Sequence, residues 1–143
     1  MTTGQLTIFS RHVRTGKRQV LVRTKNLILN QMYQQFVALM GGGTTSYINR
    51  MQFGTGTSSP TVDQTQLQRA ITPVKTIDSA TVNDTIVTFR AYLLQNEGNG
   101  FPISEAALMT ADGLIVARTT FAARTKTTDY QFGFEWAVNV KAV

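Results

Sequence analysis

The 143-residue sequence predicts a single α+β domain, mostly antiparallel β in a sandwich-like sheet, with one N-terminal amphipathic helix packed on it. Three observations carry that expectation. In YQFGFEWAVNV (130–140), Tyr130, Phe132, Phe134, Trp136, Val138 and Val140 fall in phase at every second position, with Gln131, Glu135 and Asn139 opposite them. That is the period of a strand with one buried face. In NLILNQMYQQFVALM (26–40), Ile28, Met32, Phe36 and Leu39 or Met40 recur at helical spacing. Elsewhere short apolar runs alternate with turn-forming residues, and neither an internal repeat nor a linker interrupts residues 1–143.

The elements follow in order. QLTIFSRHVRTGKRQVLVRT (5–24) reads as a β-hairpin, with Leu6 and Ile8 on the way out and Val20 and Val22 on the way back. Gly16 supplies a positive φ in its turn. Residues 1–25 thus form a basic β-hairpin arm. The helix occupies 26–41, capped by Asn26 and ended by Gly41, with a wide apolar face that should lie on a sheet. Residues 47–143 form a β-rich body of five or six strands. YINRMQF (47–53) leads into GTGTSSP, and residues 70–94 hold at least two strands, with Val87, Phe89, Ala91 and Leu93 on one face. QNEGNG (95–100) is a loop. ISEAALMTADGLIVAR (103–118) is a hairpin closed by Asp112 and Gly113. Phe132, Phe134 and Trp136 are the expected core anchors.

Only 15% of residues are charged, a low figure that fits a surface held against neighbours. There is no cysteine, so neither a disulfide nor a thiolate site is available. No apolar run reaches 18 residues, so no membrane helix is expected. MTTGQLTIF has no charged-then-apolar leader, so no secretory signal is expected. The net charge of +6 is uneven: residues 1–62 contain no acid. Arg11, Arg14, Lys17, Arg18, Arg23 and Lys25 cluster there as a candidate interface for an acidic protein surface or for nucleic acid. No aromatic residue lies among them, and only Phe9 is near, which weakens a single-strand-binding reading.

Motifs that could carry chemistry fail on context. GTGTSSP lacks the third glycine and the following helix of a dinucleotide fingerprint, and Gly16-Lys17-Arg18 lacks the upstream glycine of a P-loop. Gly54, Gly56 and Pro60 read instead as a tight strand exit, with the glycines chosen for backbone freedom. His12, the sole histidine, sits in a basic hairpin without a nearby acid and reads as exposed. No ligand spacing suggests a metal, and no cofactor is expected. Glu105 stands out, because it interrupts an apolar stretch between Ile103 and Leu108. A carboxylate there must be paired or hydrogen-bonded, with Arg118, Arg90 or backbone N–H groups as partners. A buried ionic anchor of Glu105 and Arg118 is expected rather than a general acid or base.

Two stretches then resemble a known family. One is Met51 to Leu67, a strand entering a glycine-rich turn, then proline and a short leucine-containing segment. The other is Ile103, Glu105 and Leu108 followed by Asp112, Gly113 and Leu114. Together with the NLILN helix and the Trp-bearing last strand, they resemble small tail-associated virion proteins of bacteriophages. The chain is most similar to the N-terminal attachment domain of tail-collar and tail-fibre proteins, over roughly residues 26–140. It departs at Ala107 and Met109, where the family carries glycine and an aromatic residue, and in its extra basic hairpin. Many family members begin long fibres, whereas this chain ends at Val143, so a stand-alone adaptor, baseplate or neck component is expected. The resemblance implies no enzyme activity. It implies a virion protein, assembled in the host bacterial cytoplasm, that meets other tail, fibre, baseplate or capsid subunits as a symmetric homo-oligomer. Capsid decoration or a head fibre is the alternative within that class, and a basic nucleic-acid-binding module the alternative outside it. The hairpin is the expected docking arm, by strand addition or by charge.

Overall fold

The computed structural model describes residues 2–141; Met1, Ala142 and Val143, the ends of the expected single domain, lie outside the described residues. In chain order the elements are β1 (Thr2–His12), β2 (Arg18–Lys25), β3 (Leu27–Ile28), α1 (Asn30–Met40), β4 (Ile48–Gly54) and β5 (Lys75–Thr76). They continue with β6 (Ser79–Asn83), β7 (Ile86–Leu93), β8 (Pro102–Thr110), β9 (Ile115–Thr125) and β10 (Tyr130–Val140). Two five-stranded sheets result, ordered β2-β1-β10-β7-β6 and β3-β9-β8-β4-β5. Neighbouring strands are antiparallel throughout both sheets. No helix among the described residues is long and apolar enough to cross a membrane.

The main core fills the space between the sheets, as alternation dictates. Leu6 and Ile8 of β1, Phe89, Ala91 and Leu93 of β7, and Phe132, Phe134 and Trp136 of β10 meet Met51, Phe53, Ile103, Leu108 and Val116 of the other sheet. The Phe53 and Phe134 rings touch across the gap with centroids 4.3 Å apart. Trp136 is fully buried, and its indole N–H donates to Asn26 Oδ1 at 2.9 Å. A buried indole needs such a partner.

That contact also corrects the expected helix. Asn26 is not its cap; it serves Trp136 instead. Leu27 and Ile28 pair with Arg118 and Ala117 of β9, and the Leu29 N–H donates to the Val116 carbonyl at 2.9 Å. The cross-strand ladder outweighs helical periodicity over these three residues, so α1 starts at Asn30 with no side-chain cap. Nor is α1 N-terminal, because three strands precede it. Its apolar face packs only in part: Met32 is buried, while Leu39 and Met40 are 41% and 82% exposed. Gly41 ends the helix as expected, though the positive φ falls on Gly42.

The N-terminal hairpin forms with Gly16 at φ +73°. It is not an appended arm. β1 pairs along its whole length with β10, so the hairpin supplies an interior strand and an edge strand of the first sheet. His12 is half-buried and accepts the Arg14 and Thr15 N–H groups at Nδ1, 3.2 and 3.3 Å away, so it braces its own turn.

Candidate functional site

The two sheets treat their outer faces differently. On β8, Ala106 and Leu108 point into the main core, so Glu105, Ala107 and Met109 point outward. That outer face is nonetheless closed. Residues 55–70 leave β4 at Gly54 and fold back over it, and Leu67 joins Leu29, Ala107, Met109 and Ile115 in a second, smaller core. Glu105 and Arg118 lie beneath this loop, and both are fully buried.

The Glu105 carboxylate organises the loop. Oε2 accepts the N–H of Gly56 at 2.7 Å and of Arg69 at 2.8 Å. Oε1 accepts the N–H of Gln68 at 3.0 Å and Arg118 Nε at 3.1 Å. Arg118 Nη2 stands 3.0 Å from the same oxygen but makes no aligned hydrogen bond, so it adds charge rather than a fifth bond. Arg118 Nη1 reaches the other limb of the loop, donating to the Ser58 carbonyl at 2.9 Å and to Gln64 Oε1 at 3.2 Å. Ser104 Oγ donates to the Gly56 carbonyl, and Gln68 Oε1 accepts the N–H groups of Thr57 and Ser58. Burial alone raises the Glu105 pKa, but the Arg69, Gln68 and Gly56 N–H groups and the Arg118 side chain together hold it below the ordinary value.

Gly54 and Gly56 belong to this arrangement for a reason other than the one expected. Neither has a positive φ. A Cβ on Gly54 would stand 2.4 Å from the Arg69 carbonyl oxygen, and one on Gly56 would stand 2.4 Å from Glu105 Oε2. The requirement is close approach, not backbone freedom. Pro60 is half-buried within the loop, between a bend at Ser58 and a turn at Val62 and Asp63. Asp112 and Gly113 close the β8–β9 hairpin as expected. Gly113 has φ +90°, and Asp112 accepts the hydroxyls of Thr110 and Ser46, which hold its carboxyl below the usual range.

The six cations occupy a separate place. By register, Arg11, Arg18, Arg23 and Lys25 share the outer face of the first sheet, Arg14 and Lys17 lie in and beside the hairpin turn, and all six are exposed. The structure also puts Phe9 on that face, with its ring lying over Gly133 and the Arg18 guanidinium 3.7 Å from its centroid. Phe9 is only 5% exposed, so it offers no open stacking platform. Glu135 stands between Arg18 and Arg90, at 3.3 and 3.7 Å. Phe132, Phe134 and Trp136 are core residues as expected, each no more than 4% exposed.

One buried ion escapes sequence reasoning. Lys126 is 1% exposed, and its ammonium donates to the Gln95 and Tyr130 carbonyls at 2.9 and 3.1 Å and to Asn99 Oδ1. Burial lowers its pKa, opposed by the charge of Glu97. Lysine in a polar run such as ARTKTTD carries no sequence signal for burial. Among the described residues no cluster of His, Cys, Asp or Glu could hold a metal ion. No protein-family model, no curated protein and no solved structure matches this chain.

Proposed function

We propose that this chain is a non-enzymatic structural subunit of a bacteriophage particle. It is a tail, baseplate or collar component, or an adaptor, that holds fibres or neighbouring subunits through protein–protein contacts. One observation carries the reading. The two stretches that resemble tail-collar proteins, Met51–Leu67 and Ile103–Leu114, are a single physical unit: Met51 to Gly54 pair with Leu108 to Glu105, the Gly56 N–H donates to Glu105 and Ser104 donates to the Gly56 carbonyl, with Gln68 and Arg69 just past the first stretch completing the cradle. A shared ionic lock gives a reason for both stretches to occur in one chain at that distance. It also commits Glu105 to the fold, since four hydrogen bonds and full burial leave the carboxylate no access to a substrate. Capsid decoration is the alternative location for such a subunit.

Mass spectrometry of purified particles from the source lysate, followed by immunogold microscopy, tests the proposal. Gold at the tail or neck supports the attachment role, and gold over the shell moves the protein to capsid decoration. Absence from the particles rejects the virion reading.

A second reading rests on the six exposed cations of the N-terminal hairpin, four on the outer face of the first sheet and two at the turn. If nucleic acid is the ligand, affinity falls steeply with salt, and Arg14→Glu, Lys17→Glu and Arg18→Glu together abolish it. Binding that ignores those changes removes this reading.

A further inference from the structure

The first sheet has two edges, and they carry opposite charge. At one edge, β2 presents Arg18, Arg23 and Lys25, with Lys17 just before it, all exposed. At the other, all five residues of β6 are exposed, and Asp78 and Asp84 flank the strand, also exposed. Among the described residues, neither aspartate forms a salt bridge, and neither do Lys17, Arg23 and Lys25. Because each neighbouring pair in β2-β1-β10-β7-β6 is antiparallel, β2 and β6 run in the same direction.

We propose that the occupant of each edge is a second copy of this chain: the β2 edge of one copy docks head to tail on the β6 edge of the next. Copies related by rotation about an axis along the strands keep β2 and β6 parallel. Lys17 and Arg18 then meet Asp78, while Arg23 and Lys25 meet Asp84. The spacings are close, since at strand rise six residue steps from 78 to 84 span about 20 Å and seven from 18 to 25 about 23 Å. The charges also reject the alternatives. A two-fold contact of β6 with β6 sets Asp78 against Asp84, and one of β2 with β2 sets Arg18 against Lys25, so each edge repels itself and attracts the other. A head-to-tail contact of this kind closes into a ring or grows as a chain.

On β2 the contact is led by side chains. Two of its carbonyls are already taken, Leu21 by Arg124 at 3.1 Å and Lys25 by Thr119 at 3.0 Å, so an unbroken ladder does not form there. β6 pairs only with β7, and among the described residues no other backbone hydrogen bond reaches it, which leaves its outer edge to the incoming copy. The inference deepens the assembly reading above and rests on it only for the premise that copies meet.

Analytical ultracentrifugation of the full chain at low and high salt tests it. The expected result is a species larger than a dimer that weakens as salt rises. Asp84→Lys, and separately Arg23→Glu with Lys25→Glu, each weaken assembly roughly tenfold or more. The three changes together restore it, as does mixing the two variants. All three positions are exposed, and circular dichroism confirms that each variant is folded. Assembly unmoved by either variant overturns the edge contact and leaves the assembly reading standing. A triple variant that fails to reassemble, a largest species that is a dimer, or a wild-type monomer at every concentration also overturns it. Absence from purified particles is the separate result that rejects the virion reading.

Discussion

The outer faces of the two sheets differ in what covers them. The first is open and cationic: Arg11, Arg18, Arg23 and Lys25 stand on it in water, and one aromatic ring is tucked beneath an arginine. The second is roofed by residues 55–70, which bury an ion pair and a small apolar cluster. The contrast separates two uses of charge. On the open face charge is available to partners and contributes little to stability. Under the roof it is unavailable to partners, and the loop depends on it, because among the described residues three backbone N–H groups have no acceptor other than Glu105.

The sharpest way to break this contrast is Glu105→Ala. It strands the buried Gly56 N–H and the part-buried Gln68 and Arg69 N–H groups and leaves the Arg118 charge unpaired, so the cost belongs at the upper end for breaking a buried pair, about 5 kcal/mol in urea denaturation. Arg118→Met leaves Glu105 its three backbone donors and costs less, about 3 kcal/mol. Equal losses would show that the pair, and not the carboxylate cradle, holds the loop. Next in size is Gly56→Ala, whose Cβ would stand 2.4 Å from Glu105 Oε2. It costs about 1–3 kcal/mol as the loop lifts. Hydrogen exchange should speed up at Gly56, Gln68 and Arg69 while β1 and β10 stay protected.

The same contrast explains which parts of the fold were legible. β10 and β7 read clearly because one face is core and the other wet, so their residues alternate. β8 does not alternate. From Ile103 to Thr110 every residue is buried, since the roof covers the face that a two-layer reading leaves to solvent. A carboxylate inside that run was still a visible anomaly, and its burial as an anchor followed from desolvation. The choice between Arg118 and Arg90 did not. Arg118 lies opposite Ala107 on the adjoining strand of the same sheet, whereas Arg90 faces Glu135 on the other sheet. The start of α1 was misread because Leu27, Ile28 and Leu29 suit a helix face and a short edge strand equally well. The roles of Gly54 and Gly56 were misread because close approach depends on where Glu105 and Arg69 lie in space.

Acid titration sharpens the comparison further. The Glu105 pKa is lowered by folding, so between the two values the unfolded chain binds more protons than the folded one. Its contribution is therefore complete above the unfolded value, near 4.5, and is lost as pH falls through the lower folded value. Glu105→Gln removes that part of the slope, while Glu97, also lowered, keeps its own share. A Glu105→Gln profile parallel to wild type below pH 4.5 would place the acid sensitivity elsewhere.

The smallest expected effect is on the open face. Arg18 sits over Phe9 and 3.3 Å from Glu135, with its side chain 55% exposed. Arg18→Ala removes a screened ion pair and a partly hydrated cation–π contact, worth about 0.5–1 kcal/mol together. Arg23→Ala, which loses no salt bridge among the described residues, should change stability by less than about 0.5 kcal/mol. A loss of several kcal/mol at Arg18 would mean that Phe9 needs its cover as Ala107 and Met109 need theirs. The two outer faces would then follow one rule, with a single arginine doing on one sheet what a loop does on the other.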